Sequence, residues 1–422
     1  MTWGEGVGVL RDRRFAWYFA ARTVSTAGSA MAPVALAFAV LHLTDSAGAL
    51  AQVLTARTAA MVLFLLVGGV VADRMSRTTV LQLAHALTAV TQGAAGVLVI
   101  TGQADLWTLT GIEALNGAAS AFTFPAMAGI VPLIVDRARL QPANALLAFS
   151  RSGLTVIGPA VAGLLVVTVG PGWGLAFDAA TYLLAILCLW RVRLPRRDAA
   201  LAPARASMLG ELRDGWAEFS SRTWLWVVVV VFGLLNAIHF GAIGVLGPLV
   251  SSRVPALGAG GWGLALSAEA VGTVVATVVM LRISVRYPLR VGMLAIAAIA
   301  VPVVMLGLSP SMWPLVFAMF VAGSGTELFG VGWSTAMQEH IPEAILSRVS
   351  SYDALGSFVA MPLGQLVYGP LGDRFGYAPV IAVSGVAYVA VALTVLLSRS
   401  VRTLPRARRD QPVGSLDPRS VP

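Results

Sequence analysis

Six ionisable side chains, Arg22, Arg57, Glu113, Asp178, Glu269 and Glu327, fall inside or near the ends of long apolar runs. A charged residue at the centre of a membrane helix costs about 2.5–3.5 kcal/mol on insertion scales, so six facing lipid at mid-depth would cost on the order of 15–20 kcal/mol. That exceeds the net stability of most folds. The deeper ones must therefore face a wet cavity or a partner. Glu113 and Asn116 are three apart and share a helix face with Ser120. Glu327 follows Ser324 and Thr326 in the matching run of the second half, at a similar depth. Asn236 and His239 share a face of another run. A carboxylate that gains a proton loses its charge, becomes cheaper to bury and releases its ion-pair partner. Glu113 and Glu327 are thus candidate proton-coupling residues, with a structural ion pair or an inter-helix hydrogen bond as the alternative reading of each. Arg57 is a counter-charge for Glu113 or a substrate contact. Asn236 and His239 complete the candidate cavity, His239 reading as a polar packing residue ahead of a proton relay. Asp178 and Glu269 read as solvated ends nearer the outer surface.

Little other chemistry is available. All 29 basic residues are arginine. Without lysine there is neither a phosphate-binding P-loop of the usual form nor a Schiff base. Cys188 stands alone, which excludes an internal disulfide and a CxxC site. His42, His85, His239 and His340 are scattered and form no HExxH pattern. No catalytic residue, metal or cofactor is expected, and an enzyme is the least supported class.

The elements that must position these residues are apolar segments. Of 422 residues 57% are hydrophobic and only 12% charged, about half the charged share of soluble domains. Spanning a bilayer takes about 20 mostly apolar residues. By that rule the chain is an all-α polytopic membrane protein with twelve spans, near 15–41, 48–72, 79–100, 106–131, 147–169, 173–190, 224–250, 262–281, 290–308, 312–336, 352–371 and 377–398. The arginines orient them. With the N-terminus inside, the inner segments hold most arginines, beginning with Arg11, Arg13 and Arg14, and the outer loops only Arg253 and Arg374. Both termini are then cytoplasmic, and the net charge of +9 is an orientation signal helped by anionic lipid, with no nucleic-acid role. The charged start running into an apolar segment is the inner end of span one, with no cleavage site for a signal peptide. The division is 1–190 for a first six-helix bundle, 191–222 for an Arg- and Pro-rich cytoplasmic central loop, 223–399 for a second bundle, and 400–422 for a disordered cytoplasmic tail. "IVPLIVDRARLQPANAL" after span four and "HIPEAILSRVSSYDAL" after span ten echo each other, as a parallel six-span repeat would.

Between spans two and three stands "GGVVADRMSRTTVL", with Gly69, Asp73, Arg74, Ser76 and Arg77 in a GxxxDRxSR pattern. It resembles the signature loop of the major facilitator superfamily, and the resemblance extends over the whole chain. The resemblance implies a cytoplasmic latch in which the Asp pairs with basic groups and a helix N-terminus, and Gly69 allows close helix contact. Ser76 stands where the family usually has Gly, and Thr78 where it usually has a basic residue. "GPLGDRFG" at 369–376 repeats the spacing, but alternation places it outside. "GLTVIGPAVAG" in span five carries Gly158, Pro159 and Gly163, a kink with a small-residue face. It resembles the span-five motif of exporters in this superfamily, with Ala162 in place of one Gly. The segments "ANALLAFSRSG", "AFDAATYLLA" and "IPEAILSRVSS" resemble the branch of macrolide and siderophore exporters. These resemblances imply a monomeric secondary transporter in the bacterial cell membrane. It would export a small hydrophobic or amphipathic compound, an antibiotic, siderophore or similar metabolite, by proton antiport with alternating access. The alternatives are a proton-coupled uptake symporter on the same fold and a non-transporting membrane sensor.

Overall fold

A computed structural model describes residues 8–128, 130–136, 139–192, 216–217, 219–280, 282–283, 285–341 and 343–405. Most of the expected central loop and of the expected tail lies outside them. Every regular element among the described residues is helical. The long helices are numbered here in chain order: α1 Arg13–Thr44, α2 Ala47–Arg74, α3 Arg77–Ile100, α4 Leu106–Ala128, α5 Leu140–Thr168 and α6 Pro171–Trp190. They continue with α7 Thr223–His239, which runs on through Phe240–Leu246 and Gly247–Arg253, and α8 Gly258–Met280. α9 is Pro288–Ile296 continued by Ala297–Ile299 and Ala300–Leu308, and α10 Met312–His340, α11 Glu343–Phe375 and α12 Tyr377–Thr394 complete the set. Among the described residues eleven helices are long and apolar enough to cross a membrane. α4 is the long helix outside that group, with Glu113 and Asn116 near its middle. The segment after span ten, expected as a loop, is helical from Glu343 onward.

Short polar residues set the helix starts by accepting hydrogen bonds from the first free backbone N–H groups. Asp12 caps α1 through Arg14 N–H (2.9 Å). Ser46 caps α2 through Ala49 N–H (3.3 Å), and Ser76 caps α3 through Thr79 N–H (3.2 Å). Asp105 caps α4 through the N–H groups of Trp107 (2.9 Å) and Thr108 (3.0 Å). The Thr108 hydroxyl and these N–H groups hold the Asp105 carboxyl below the usual carboxylate range. In α7 the chain widens into a π-helical stretch at Phe240–Leu246. Pro248, just beyond, has no N–H to offer the preceding turn, and a π-turn absorbs such a mismatch. In α9 a 3₁₀ turn at Ala297–Ile299 precedes Pro302 in the same way.

The chain divides into two compact units, Met1–Arg197 with Gly247–Ser267, and Asp198–Leu246 with Ala268–Pro422. In the first, α2 packs on α4, α6 lies between α1 and α3, and α5 packs on α1. An apolar core there gathers Phe15, Tyr18, Leu81, Ile130, Ile134 and Leu189, where the starts of α1 and α3 meet the ends of α4 and α6. In the second, α9 packs on α10 and α12, and α7 packs on α11. Large apolar side chains such as Leu63, Val90, Leu164 and Leu397 remain exposed, as expected where the outer solvent is hydrocarbon.

Each unit holds a close crossing of the same kind between corresponding helices. Gly117 of α4 sits on the backbone of Arg57 in α2, where a β-carbon would lie 3.0 Å from the Arg57 Cα. Gly323 of α10 sits on the backbone of Glu269 in α8, where a β-carbon would again lie 3.0 Å from the Cα. Both glycines come eleven residues after the first residue of their helix. The crossing thus gives the two halves a common register. It corrects the expectation that Glu113 and Glu327 lie at similar depth: Glu113 precedes its glycine by one turn and Glu327 follows its glycine by one turn. The residue that corresponds to Arg57 in the repeat is Glu269.

Candidate functional site

Glu113 of α4 is 1% exposed. Arg57 Nη1 lies 2.9 Å from its Oε2, an ion pair between α4 and α2 in which the Arg57 side chain remains 32% exposed. The second oxygen, Oε1, accepts from Asn116 Nδ2 at 3.1 Å and from Gln92 Nε2 of α3 at 3.3 Å. Thr91 Oγ1 donates to Asn116 Oδ1 at 2.5 Å, which orients the amide toward Glu113. One turn earlier on α4, Thr110 accepts from Gln52 of α2 (3.1 Å). The pairing of Glu113 with Asn116 and the counter-charge Arg57 were legible as polar residues in apolar runs. Gln92 and Thr91 carry the same signal, in "VTQGAAG" of span three, and complete the group. Ser120, placed on the same face, instead donates to the Asn116 carbonyl of its own helix (2.9 Å). A charge-stabilised carboxylate with three donors is well suited to burial.

A second polar group lies in the same unit between α1, α3 and α6. Asp178 is 2% exposed, and its Oδ1 is buried without a hydrogen-bond partner. This corrects its reading as a solvated end: α6 begins at Pro171, so Asp178 is two turns inside the helix. Nearby, Ser29 Oγ meets Tyr182 Oη at 2.9 Å, and the His85 ring stands edge-on to Tyr182 with centroids 4.9 Å apart. Arg57 and Glu113 are within electrostatic reach of Asp178.

The small residues of "GPAVAG" pack on two partners. Gly158 faces Ala30 of α1, where a β-carbon would lie 3.1 Å from the Ala30 carbonyl carbon. Gly163 faces Ala259 and Gly260 of α8, and the Pro159 carbonyl faces Gly263. Ser267 Oγ accepts from Ala160 N–H at 3.0 Å. Pro159 lies within a continuous helix. In the same unit, Arg253 Nη2 is 3.4 Å from Asp45 Oδ2.

A family model described as transmembrane secretion effector matches residues 6–412. The chain belongs to that family, exporters of the major facilitator superfamily. Macrolide efflux protein A of Streptococcus pyogenes is 22% identical over 93% of this chain and 97% of its own. The multidrug efflux pump Tap of Mycobacterium tuberculosis is 25% identical over 94% and 96%. The enterobactin exporter EntS of Escherichia coli is 24% identical over 97% of each. Among solved structures, the nucleoside transporter NupG superposes with a TM-score of 0.71 at 16% identity, covering 91% of this chain and 98% of its own. A bacterial homologue of the lysosomal transporter Spinster gives 0.72 at 15%, covering 94% and 99%. This secretion effector therefore has the major facilitator fold, is a transporter and not an enzyme, and is a multi-pass protein of the bacterial cell membrane.

The remaining residues picked out in the sequence of this secretion effector are dispersed. Gly69, Asp73 and Arg74 lie in the last turns of α2, with the Asp73 and Arg74 side chains outside the described part. Ser76 caps α3 and Arg77 is its first residue, so the Ser that departs from the signature pattern has a local structural task. In the "GPLGDRFG" segment, Asp373 accepts from Tyr377 Oη at 2.5 Å and Arg374 lies over the Phe375 ring. In the second unit Glu327 accepts from Thr277 Oγ1 of α8 at 2.9 Å. Asn236 donates to the Ser357 carbonyl of α11 at 3.3 Å. His239 closes α7 at the edge of the π-helical stretch, beside the Phe240 ring. Glu269, also read as a solvated end, is instead half-buried in mid-α8 at the crossing with α10.

Proposed function

We propose that this secretion effector is a proton antiporter with twelve spans, two six-helix bundles and both termini in the cytoplasm, which exports a small hydrophobic or amphipathic compound by alternating access. The chemistry of the relatives, one named for macrolides and one for enterobactin, supports such a cargo. The observation that carries proton coupling is the buried Arg57–Glu113 pair with its Gln92 and Asn116 donors. A desolvated charge cluster in a transport bundle has a function-sized cost, and gain or loss of one proton there changes which helices attract each other. Glu327 has Thr277 as its neighbour on the next helix and is half-buried, a poorer setting for a desolvated charge. Asp73, Arg74 and Arg77 at the α2–α3 corner act as the cytoplasmic latch, with Gly69 permitting close approach. Gly158, Pro159 and Gly163 close the α5 interfaces with α1 and α8.

The test is efflux from a bacterial host lacking its own exporters, with a macrolide, other antibiotic classes and a catecholate siderophore measured side by side. Export of at least one compound that stops when the pH gradient is collapsed is the expected result. Accumulation inside the cells would instead identify an uptake symporter.

A further inference from the structure

Two carboxylates share the interior of the first unit, and their surroundings differ in kind. Glu113 collects the available donors: Arg57, Asn116 and Gln92 all point at it. Asp178 collects none at Oδ1. The hydroxyls closest to it in the chain are engaged elsewhere. Thr181 Oγ1 donates to the Asp178 backbone carbonyl (2.6 Å), and Tyr182 Oη is paired with Ser29, whose own hydroxyl also reaches the Ser25 carbonyl (2.9 Å). The carboxyl is seated against α1 at Gly28, where a β-carbon would collide with Oδ1 and lie 2.8 Å from the Asp178 Cα. No side chain can grow there to supply a donor.

A charged carboxylate oxygen buried without a donor forfeits its hydration and gains nothing in return. The protonated acid removes that cost. The charged and titratable groups around Asp178 are few. α2 contributes Arg57 and α4 Glu113, both within electrostatic reach. α1 contributes Arg22 and α3 His85, which reach Tyr182 on α6. α5 contributes Arg151, which is exposed. Among the described residues Arg57 is the cation that reaches both carboxylates, and it is spent on Glu113.

We propose that Asp178 is the residue that binds and releases the exchangeable proton, and that Glu113 stays ionised as the fixed partner of Arg57. The proposal rests on the antiport reading and moves its proton from the ion pair to the neighbouring helix. When Asp178 gives its proton to water, a second anion forms within reach of Arg57. The arginine then has two competing carboxylates, one on α4 and one on α6, and the attraction between α2 and α6 rises. Reprotonation returns Arg57 to Glu113 alone. The cycle balances, with one proton taken up and one released and no other group changing charge.

The test needs no knowledge of the cargo. In the infrared spectrum of the whole protein in lipid, a protonated carboxylic acid gives a C=O stretch separate from the carboxylate bands. The expected result is such a band at neutral pH that disappears on alkaline titration, shifts when aspartate is ¹³C-labelled, and is lost in Asp178→Asn; in Glu113→Gln, which frees Arg57 for Asp178, its disappearance should move to lower pH. Asp353, a half-buried aspartate of α11, is controlled with Asp353→Asn, which should keep the labelled band and decides the matter even where Asp178→Asn does not fold. A band that ignores the aspartate label, survives in folded Asp178→Asn, vanishes in Asp353→Asn, or titrates at higher pH in Glu113→Gln overturns the proposal. Failure of the antiport reading has a different signature: the band belongs to Asp178, but efflux is unchanged when the pH gradient is collapsed.

Discussion

Arg57 and Glu113 lie 56 residues apart in the chain, and their pairing follows from a simple constraint: neither can face hydrocarbon alone. Removing one partner of a buried pair leaves the other uncompensated, at about 3–5 kcal/mol in a fully buried setting, and less here because the Arg57 side chain is 32% exposed. Arg57→Ala should therefore lower the thermal midpoint of the purified protein, while Arg57→Ala combined with Glu113→Gln should recover part of the loss. Strictly additive losses in the double variant would show that the two charges are not coupled. The same constraint made Glu113, Asn116 and Arg57 legible from sequence. Asp178 was misread because its place was judged by distance from a span end. What fixes its environment is Gly28 on α1 and the direction of the neighbouring donors, and neither follows from a single helix's pattern. Gln92 and Thr91 carried a readable signal, two polar residues inside an apolar run.

Helix α4 carries Glu113 to its place through two contacts, a cap at its start and a crossing near its middle. At the crossing, a β-carbon on Gly117 would meet the Arg57 backbone, which cannot rotate away as a side chain can. Gly117→Ala should then separate α2 from α4 at an overpacking cost of about 1–3 kcal/mol. Gly111 on the same helix has open space around it, and Gly111→Ala should be neutral or stabilise by about 0.5–1 kcal/mol through helix propensity. Gly323→Ala and Gly330→Ala make the same comparison on α10, where Gly330 is the open one. Thermal midpoints of the four variants check the contrast, and equal effects within each pair would refute it. At the cap, Asp105→Ala should destabilise the start of α4. The Asp105 carboxyl is held below its usual range by Thr108 and its N–H groups, so the cap is at full strength above the unfolded value and is lost as pH falls through the folded one. The difference between Asp105→Ala and the parent protein should shrink in acid. The helices themselves were legible from their apolar runs, but α11 was foreseen too short: its first turns, from Glu343, are polar enough to read as loop. The register of the repeat was not legible, because Gly117 and Gly323 look like any other glycine until their partners' backbones are seen.

The chain as a whole is an exporter of the major facilitator fold, and much of that was legible because the bilayer enforces a coarse code. Apolar length marks the helices and arginine marks the inner side. That code yields a definite prediction about sidedness. Arginines crowd the segments that follow even-numbered spans, while those that follow odd-numbered spans hold only Arg253 and Arg374. Translocating the opposite set of loops would carry most of the positive charge across the membrane and away from the anionic inner leaflet. Two exposed positions report on it, Gln103 in the turn between α3 and α4 and Thr403 after the last helix. Cys188 is the only cysteine, so Cys188→Ser gives a background into which Gln103→Cys or Thr403→Cys can be placed singly. In intact cells a membrane-impermeant maleimide should label Gln103→Cys, and should label Thr403→Cys only after the cells are opened. Both variants should remain competent for efflux, which shows that the labelled molecules are inserted correctly. Labelling of Thr403→Cys but not Gln103→Cys in intact cells would reverse the orientation and move Asp73 and Arg77 to the outer face, where they could not latch the cytoplasmic side. Labelling of both in intact cells would mean an even number of crossings between them in place of the expected nine, and the twelve-span arrangement would fail at one of the helices from α4 onward.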